Sequence, residues 1–146
     1  MFDVGRSKRA QQAFAFDDIT IVPSRRTRGE EEVSLQWRID AYIFDFPLLA
    51  APMDSVVSPS TAIRIGQLGG LGVLNLEGIW TRYDDPQPLL EEIIAIEDAV
   101  EATRRMQKIY AEPIKSELIG KRVAQIREAG VPTAGALSPQ NTQAYA

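Results

Sequence analysis

Hydrophobic positions change their spacing several times along the chain, and each change marks an element. Phe16-Asp17-Asp18-Ile19-Thr20-Ile21-Val22 is a short apolar run rich in β-branched residues and halted by Pro23, which predicts an edge strand or an extended arm. Val33, Leu35, Trp37 and Ile39 alternate with Ser34, Gln36 and Arg38 at the period of a half-buried strand. Tyr42, Phe44 and Phe46 resume the alternation after Asp40-Ala41, so the two runs read as a hairpin. Leu48-Leu49-Ala50-Ala51 is apolar throughout, as in a parallel strand covered on both faces. Ser58-Pro59 places a hydroxyl at the N-cap and proline at the first helical position of a helix that Gly69-Gly70 ends. Leu71-Gly72-Val73-Leu74 is a second continuous apolar strand, and strand, helix and strand in this order predict a βαβ unit with a parallel sheet.

From Pro86 the period becomes 3.6. Leu89, Leu90, Ile93 and Ile94 share one helical face with Glu91 and Glu92 opposite, and a second helix runs through Ala99, Ala102, Met106 and Ile109. A third runs from about Ile114 through Leu118, Val123 and Ile126 to Gly130 at C′. Glu101 with Arg105 and Glu117 with Lys121 have the i,i+4 spacing of helical ion pairs. Val131 to Leu137 is a small apolar strand, and Ser138-Pro139 repeats the cap signature just before the sequence stops. A stop so early in a crossover helix reads as a chain cut within a larger domain; the alternative is a complete three-layer domain with a frayed tail.

Composition narrows the chemistry more than the fold. The 146 residues contain no Cys and no His, which excludes a Cys/His zinc site, a disulfide framework, a Cys nucleophile and a Ser-His-Asp triad within the chain. No metal site is expected. The net charge of −4 argues against a nucleic-acid partner. The longest apolar stretch, Phe46 to Met53, is too short to span a bilayer and the N-terminus lacks a signal peptide's apolar segment, so a cytoplasmic protein with no membrane partner is expected. Residues 1–28 carry six basic and three acidic groups, and the Arg25, Arg26 and Arg28 cluster reads as solvated surface before it reads as a phosphate site.

Among candidate residues, Asp17 and Asp18 alternate faces on a strand, so loop pinning is favoured over a proton-sharing pair. The Glu30-Glu31-Glu32 and Asp84-Asp85 runs read as solvent-exposed. Gly66, Gly69, Gly70 and Gly72 follow a helix and precede a strand, the reverse of a dinucleotide fingerprint. The strongest candidate is Ala50-Ala51-Pro52-Met53-Asp54-Ser55-Val56, at the C-terminal end of a parallel strand, where α/β folds place ligands. There the small residues admit a planar ligand and Met53 offers it a polarizable surface, or else Met53 is core and Asp54 a cap. Asn75, at the end of the next strand, is the second candidate.

The residues that carry these features resemble the IMP dehydrogenase/GMP reductase family. Phe16-Asp17-Asp18-Ile19-Thr20-Ile21-Val22-Pro23, Val33-Ser34-Leu35, Pro47-Leu48-Leu49-Ala50-Ala51-Pro52-Met53-Asp54-Ser55-Val56 and Gly69-Gly70-Leu71-Gly72-Val73-Leu74 match its motifs in order and spacing. Tyr110-Ala111-Glu112-Pro113-Ile114-Lys115 and Ala134-Gly135-Ala136-Leu137-Ser138-Pro139 resemble its IMP dehydrogenase-related branch without CBS modules. The resemblance implies an α/β fold, a (β/α)8 TIM barrel of which about the first three β/α units are present, preceded by an N-terminal β-hairpin. On that reading residues 1–46 are the arm and hairpin, 47–85 the first βαβ unit, 86–130 a helical linker in place of CBS modules, and 131–146 the third strand and the start of its helix.

The implied activity is that of a purine nucleotide oxidoreductase converting IMP and NAD to XMP and NADH. Its alternatives are reduction of GMP with NADPH to IMP and ammonia, or a non-catalytic nucleotide-binding barrel. Ala51, Met53 and Asp54 are then substrate-binding, and Asn75 stands where the family has a cofactor-contacting His-Lys or His-His. The resemblance also implies NAD or NADP, a potassium ion and a homotetramer for the whole protein. The catalytic Cys is expected downstream of Ala146, so the present residues alone are expected to be inactive.

Overall fold

A computed structural model describes residues 2–4, 8–23 and 29–145. The chain divides into two units, residues 1–34 and 35–146. In the first, β1 (Phe2–Val4) pairs antiparallel with β2 (Lys8–Ala10), a hairpin the sequence reading missed. The arm expected over Phe16–Val22 begins instead as a 3₁₀ turn, Phe16–Asp18, whose Asp18 Oδ2 accepts the Ala15 N–H at 2.9 Å. Asp18 therefore pins the loop, and among the described residues the stretch that follows pairs with no strand. Glu30–Glu32 is an exposed 3₁₀ turn, and Arg25, Arg26 and Arg28 lie outside the described residues.

The second unit opens with the expected hairpin, shortened to β3 (Trp37–Ile39) and β4 (Tyr42–Phe44). Asp40 takes the left-handed conformation (φ 49°) at its turn, and Trp37 stacks on Phe44 with ring centroids 5.1 Å apart. Val33 and Leu35 are exposed, and among the described residues the alternation that predicted them as strand is not taken up in any strand.

The core sheet is parallel, in the order β5 (Leu49–Ala50), β6 (Leu71–Asn75), β7 (Ala134–Ala136). Helix α1 (Pro59–Gln67) connects the first two strands; Ser58 Oγ accepts the Thr61 N–H at 3.0 Å, as its cap signature predicts. Three helices connect the next pair: α2 (Gln87–Ile94), α3 (Ala99–Ile109) and α4 (Ser116–Glu128). Gly130 follows α4 with φ +73°, the C′ position expected of it.

Both α1 and α4 cover the same face of this sheet. Ala62 of α1 and Ile119 and Ile126 of α4 join Val57, Leu74 and Leu76 in one buried cluster. Gly72 lets α1 approach so closely that a Cβ there would lie 2.6 Å from the Ala62 Cα. On β5 the expectation of burial on both faces fails: Leu49 is 50% exposed, since β5 is the sheet's edge and its side chain stands on the face away from the helices.

Neither expected helical ion pair forms. Arg105 leaves Glu101 for Glu92 on α2, whose two carboxylate oxygens its guanidinium grips at 2.6 and 2.7 Å, and Lys121 bonds Asp84 at 2.8 Å. Packing α3 back against α2 gives Arg105 a bidentate partner, which an i,i+4 neighbour does not match. No helix among the described residues is long and apolar enough to cross a membrane.

Candidate functional site

The C-terminal ends of β5, β6 and β7 carry the polar groups of interest. After β5, Met53 folds into a tight turn, its carbonyl accepting the Val56 and Val57 N–H groups at 2.8 Å. This turn leaves its side chain 53% exposed, with Ala51 also exposed. Met53 is therefore not core.

Asp54 turns the other way. Its Oδ2 accepts the Ile79 N–H at 2.8 Å and the Tyr110 hydroxyl, while Oδ1 lies against Gly78, where a Cβ would come within 2.0 Å of it. Oδ1 has no hydrogen-bond partner among the described residues. The carboxylate thus fastens the strand-end loop to the 3₁₀ turn Ile79–Thr81 and to the end of α3. Burial and the neighbouring Asp54 carboxylate both push the Tyr110 phenol well above its ordinary pKa, so it stays a donor to Asp54. Asn75, at the end of β6, is half-buried with its Oδ1 taken by the Glu77 N–H at 3.0 Å.

Two residues that sequence reasoning did not select complete the arrangement. The Glu77 carboxylate accepts from the Asn141 amide, the Ser138 N–H (2.9 Å) and the Ser138 hydroxyl (2.8 Å), joining the ends of β6 and β7. Ser138 is thereby drawn away from capping, and the expected helix starts late as the short α5 (Thr142–Tyr145). Arg82 donates to the Glu77, Tyr110 and Glu112 carbonyls and lies over the Tyr110 ring. A chain of contacts therefore runs Asp54, Tyr110, Arg82, Glu77, Ser138 across the ends of all three parallel strands. Asp54, Ser138 and the Tyr110 stretch carried signals in the sequence, through strand-end position, cap signature and family resemblance; Arg82 carried none, and Glu77 reads locally as an ordinary surface acid.

The Asn141 and Ser138 hydrogen bonds hold the Glu77 pKa below its ordinary value of 4.5. A depressed folded-state pKa stabilises fully above the unfolded value and is lost as pH falls through the folded one. The difference in denaturation midpoint between the protein and its Glu77→Gln variant is accordingly expected to hold from neutral pH to about 5 and to shrink below the 4.5 of an ordinary glutamate. A difference that stays constant down to pH 3 would contradict this role.

The polypeptide between Asp84 and Lys115 is a closed excursion from the β6 end. The Lys115 N–H bonds the Thr81 carbonyl at 2.9 Å and the Tyr83 hydroxyl bonds the Ile109 carbonyl at 2.9 Å, so the chain departs and returns at nearly one point. The excursion carries α2 and α3 to the side of Met53. Between them lies a cavity of about 510 Å³, walled by Met53 and Ser55 on the strand side and by Leu90, Ile93, Met106 and Tyr110 on the hairpin side.

Comparison with known proteins locates this geometry. Residues 13–82 match the model of the IMP dehydrogenase / GMP reductase domain, a stretch that includes Met53, Asp54 and the turn that receives them. The chain belongs to the IMP dehydrogenase/GMP reductase family. A Mycolicibacterium smegmatis protein described as an uncharacterized oxidoreductase is 44% identical over 99% of this chain and 40% of its own length. A Mycobacterium tuberculosis counterpart is 46% identical over 98% of the chain and 39% of its own. The crystal structure of an IMP dehydrogenase/GMP reductase-like protein from Corynebacterium glutamicum is 41% identical and superposes with a TM-score of 0.82, over 97% of this chain and 38% of that one. The chain thus spans about 40% of the length of these family members. The family-wide match ends at residue 82, before the excursion, whereas the two mycobacterial alignments run through nearly the whole chain.

Proposed function

We propose that these residues form the nucleotide-recognising part of a (β/α)8-barrel oxidoreductase that converts IMP and NAD to XMP and NADH. The observation that carries this reading is Met53, held exposed at the C-terminal end of a parallel strand whose sheet, among the described residues, carries α1 and α4 together on one face. Helices on a single face are the arrangement of a barrel; doubly wound sheets carry them on both. The family membership and the relatives' description as oxidoreductases support the reaction class.

The exposed Met53 thioether and the backbone at Ala51 fit a flat purine base, the first as a polarizable surface and the second by its small side chain. Asp54 serves by holding the loop beneath them, since its Oδ2 is already taken by Ile79 and Tyr110. Asn75, whose Oδ1 is bonded to Glu77, offers its amide N–H donors to the cofactor. A nicotinamide dinucleotide would supply hydride acceptance at this end of the sheet. The step needs a nucleophile that these residues do not contain, so the chain's own part is to bind and orient the purine.

The test is an absorbance assay at the nicotinamide band with the intact protein, supplied with IMP plus NAD and separately with GMP plus NADPH. Reduction of NAD in the first mixture supports the proposal. Turnover only in the second reverses its direction, and silence in both rejects an enzyme of this class in favour of a non-catalytic barrel.

A further inference from the structure

We propose that the α2–α3 hairpin is a wall of the ligand site and makes, with Met53, a pocket for the heteroaromatic ring of a nucleotide. This rests on the purine nucleotide reading above and adds to it a wall outside the residues of the family-wide match.

None of the residues of α2 is buried, and Ile94 is 82% exposed, so α2 does not spend its apolar face on the protein's own core. That face borders a concavity. At about 510 Å³ the cavity has the size of a small-molecule site, too small for a docked helix and ample for a nucleotide's ring and sugar. Two of the chain's three methionines, Met53 and Met106, line it, and Met106 is 40% exposed. Thioethers on unbranched, adaptable side chains suit the faces of a planar heteroaromatic ring.

Polar side chains in the lining are few, as in ligand pockets generally. They are Asp54, whose Oδ2 is already taken by Ile79 and Tyr110, with Ser55, Gln87 and the Tyr110 phenol. The wall is also anchored: the Tyr110 bond to Asp54 and the Lys115 bond to Thr81 tie the returning end of the excursion to the loop after β5 and to its own point of departure. A ring entering beside Met53 would therefore meet a positioned surface and pay little to order it.

The ring has two possible sources, the purine of the substrate and a base of the dinucleotide, and separate titrations distinguish them. In the intact protein, Met106→Ala and Ile94→Ser are measured by calorimetric titration with IMP and, independently, with NAD. Both side chains are exposed enough for the variants to fold, and Val100→Ser, on an exposed part of α3 away from the cavity lining, is the control. Weakening by about tenfold for one nucleotide in both variants, with the control unchanged, supports the proposal and names the source. Wild-type binding that neither variant weakens by more than about twofold overturns the hairpin wall and leaves the proposed function standing. Failure of the wild-type protein to bind either nucleotide overturns both.

Discussion

An Arg122→Met variant of the intact protein is expected to lose about 3 kcal/mol of stability, although methionine keeps most of the side chain's apolar length. Arg122 is buried on α4, and its guanidinium donates to the carbonyls of Trp80 (3.0 Å), Tyr83 (3.2 Å) and Asp84 (2.6 Å) while lying 5.8 Å from the centre of the Trp80 ring. All three carbonyls belong to the segment from which the helical excursion leaves β6. Methionine would remove this donor from all three part-buried bonds, and an acceptor left unsatisfied where the helix shields it from water costs more than the original bond contributes. Arg122→Lys should recover less than half the loss, because a single ammonium does not reproduce the planar fork that reaches three acceptors. Denaturant midpoints of the three proteins check this. Equal stability of the methionine variant and the parent would mean that the clamp is incidental.

The second large effect is expected at Gly78. Alanine there is allowed by the backbone (φ −86°, ψ −169°), yet its Cβ would lie 2.0 Å from Asp54 Oδ1 and 2.6 Å from its Cγ. Asp54 must then move, releasing both the Ile79 N–H and the Tyr110 hydroxyl. A loss of about 2–3 kcal/mol is expected from Gly78→Ala and a similar one from Asp54→Ala. The decisive measurement is the pair combined: once Asp54 is alanine the clash is gone, so adding Gly78→Ala should cost well under 1 kcal/mol. Additive losses would show that Gly78 acts independently of Asp54. On the proposed function, nucleotide affinity should fall with each single change, since Asp54 holds the loop that carries Met53 and bonds Tyr110.

Local signals located much of the second unit. The Ser58-Pro59 cap, the Gly69-Gly70 stop and the Gly130 terminus bound elements that form where they predict, because each acts on its own backbone within a few residues. The same signal at Ser138-Pro139 failed. Its hydroxyl and N–H meet the Glu77 carboxylate, 61 residues away, and that partner outcompetes the local cap. Arg105 and Lys121 failed likewise, each leaving a helical neighbour for an acid on another segment. On α4 Val123 packs against the core as the pattern predicts, and the fold also buries Arg122 beside it, because only the folded chain brings three carbonyls to that position.

At the candidate site, Ala51, Met53, Asp54 and Asn75 were readable from their place at the ends of apolar strands. The division of labour among them was not. Met53 faces outward because its carbonyl is held in a turn, and Asp54 faces inward because Ile79 offers it an N–H from 25 residues away.

The sequence by itself determined the order of strands and helices, the parallel sheet, the absence of a Cys or His chemistry in these residues and the family. Tertiary structure alone decided which polar groups meet: Asp54 with Tyr110, Arg82 with Glu77 and Tyr110, Arg122 with residues 80–84. Hydrophobic periodicity records which face of an element is buried, and the short-range hydrogen bonds of caps and turns record where it stops. A bond between residues dozens of positions apart leaves no such local mark. Its energy arises only after the strands and helices have packed and excluded water around the pair.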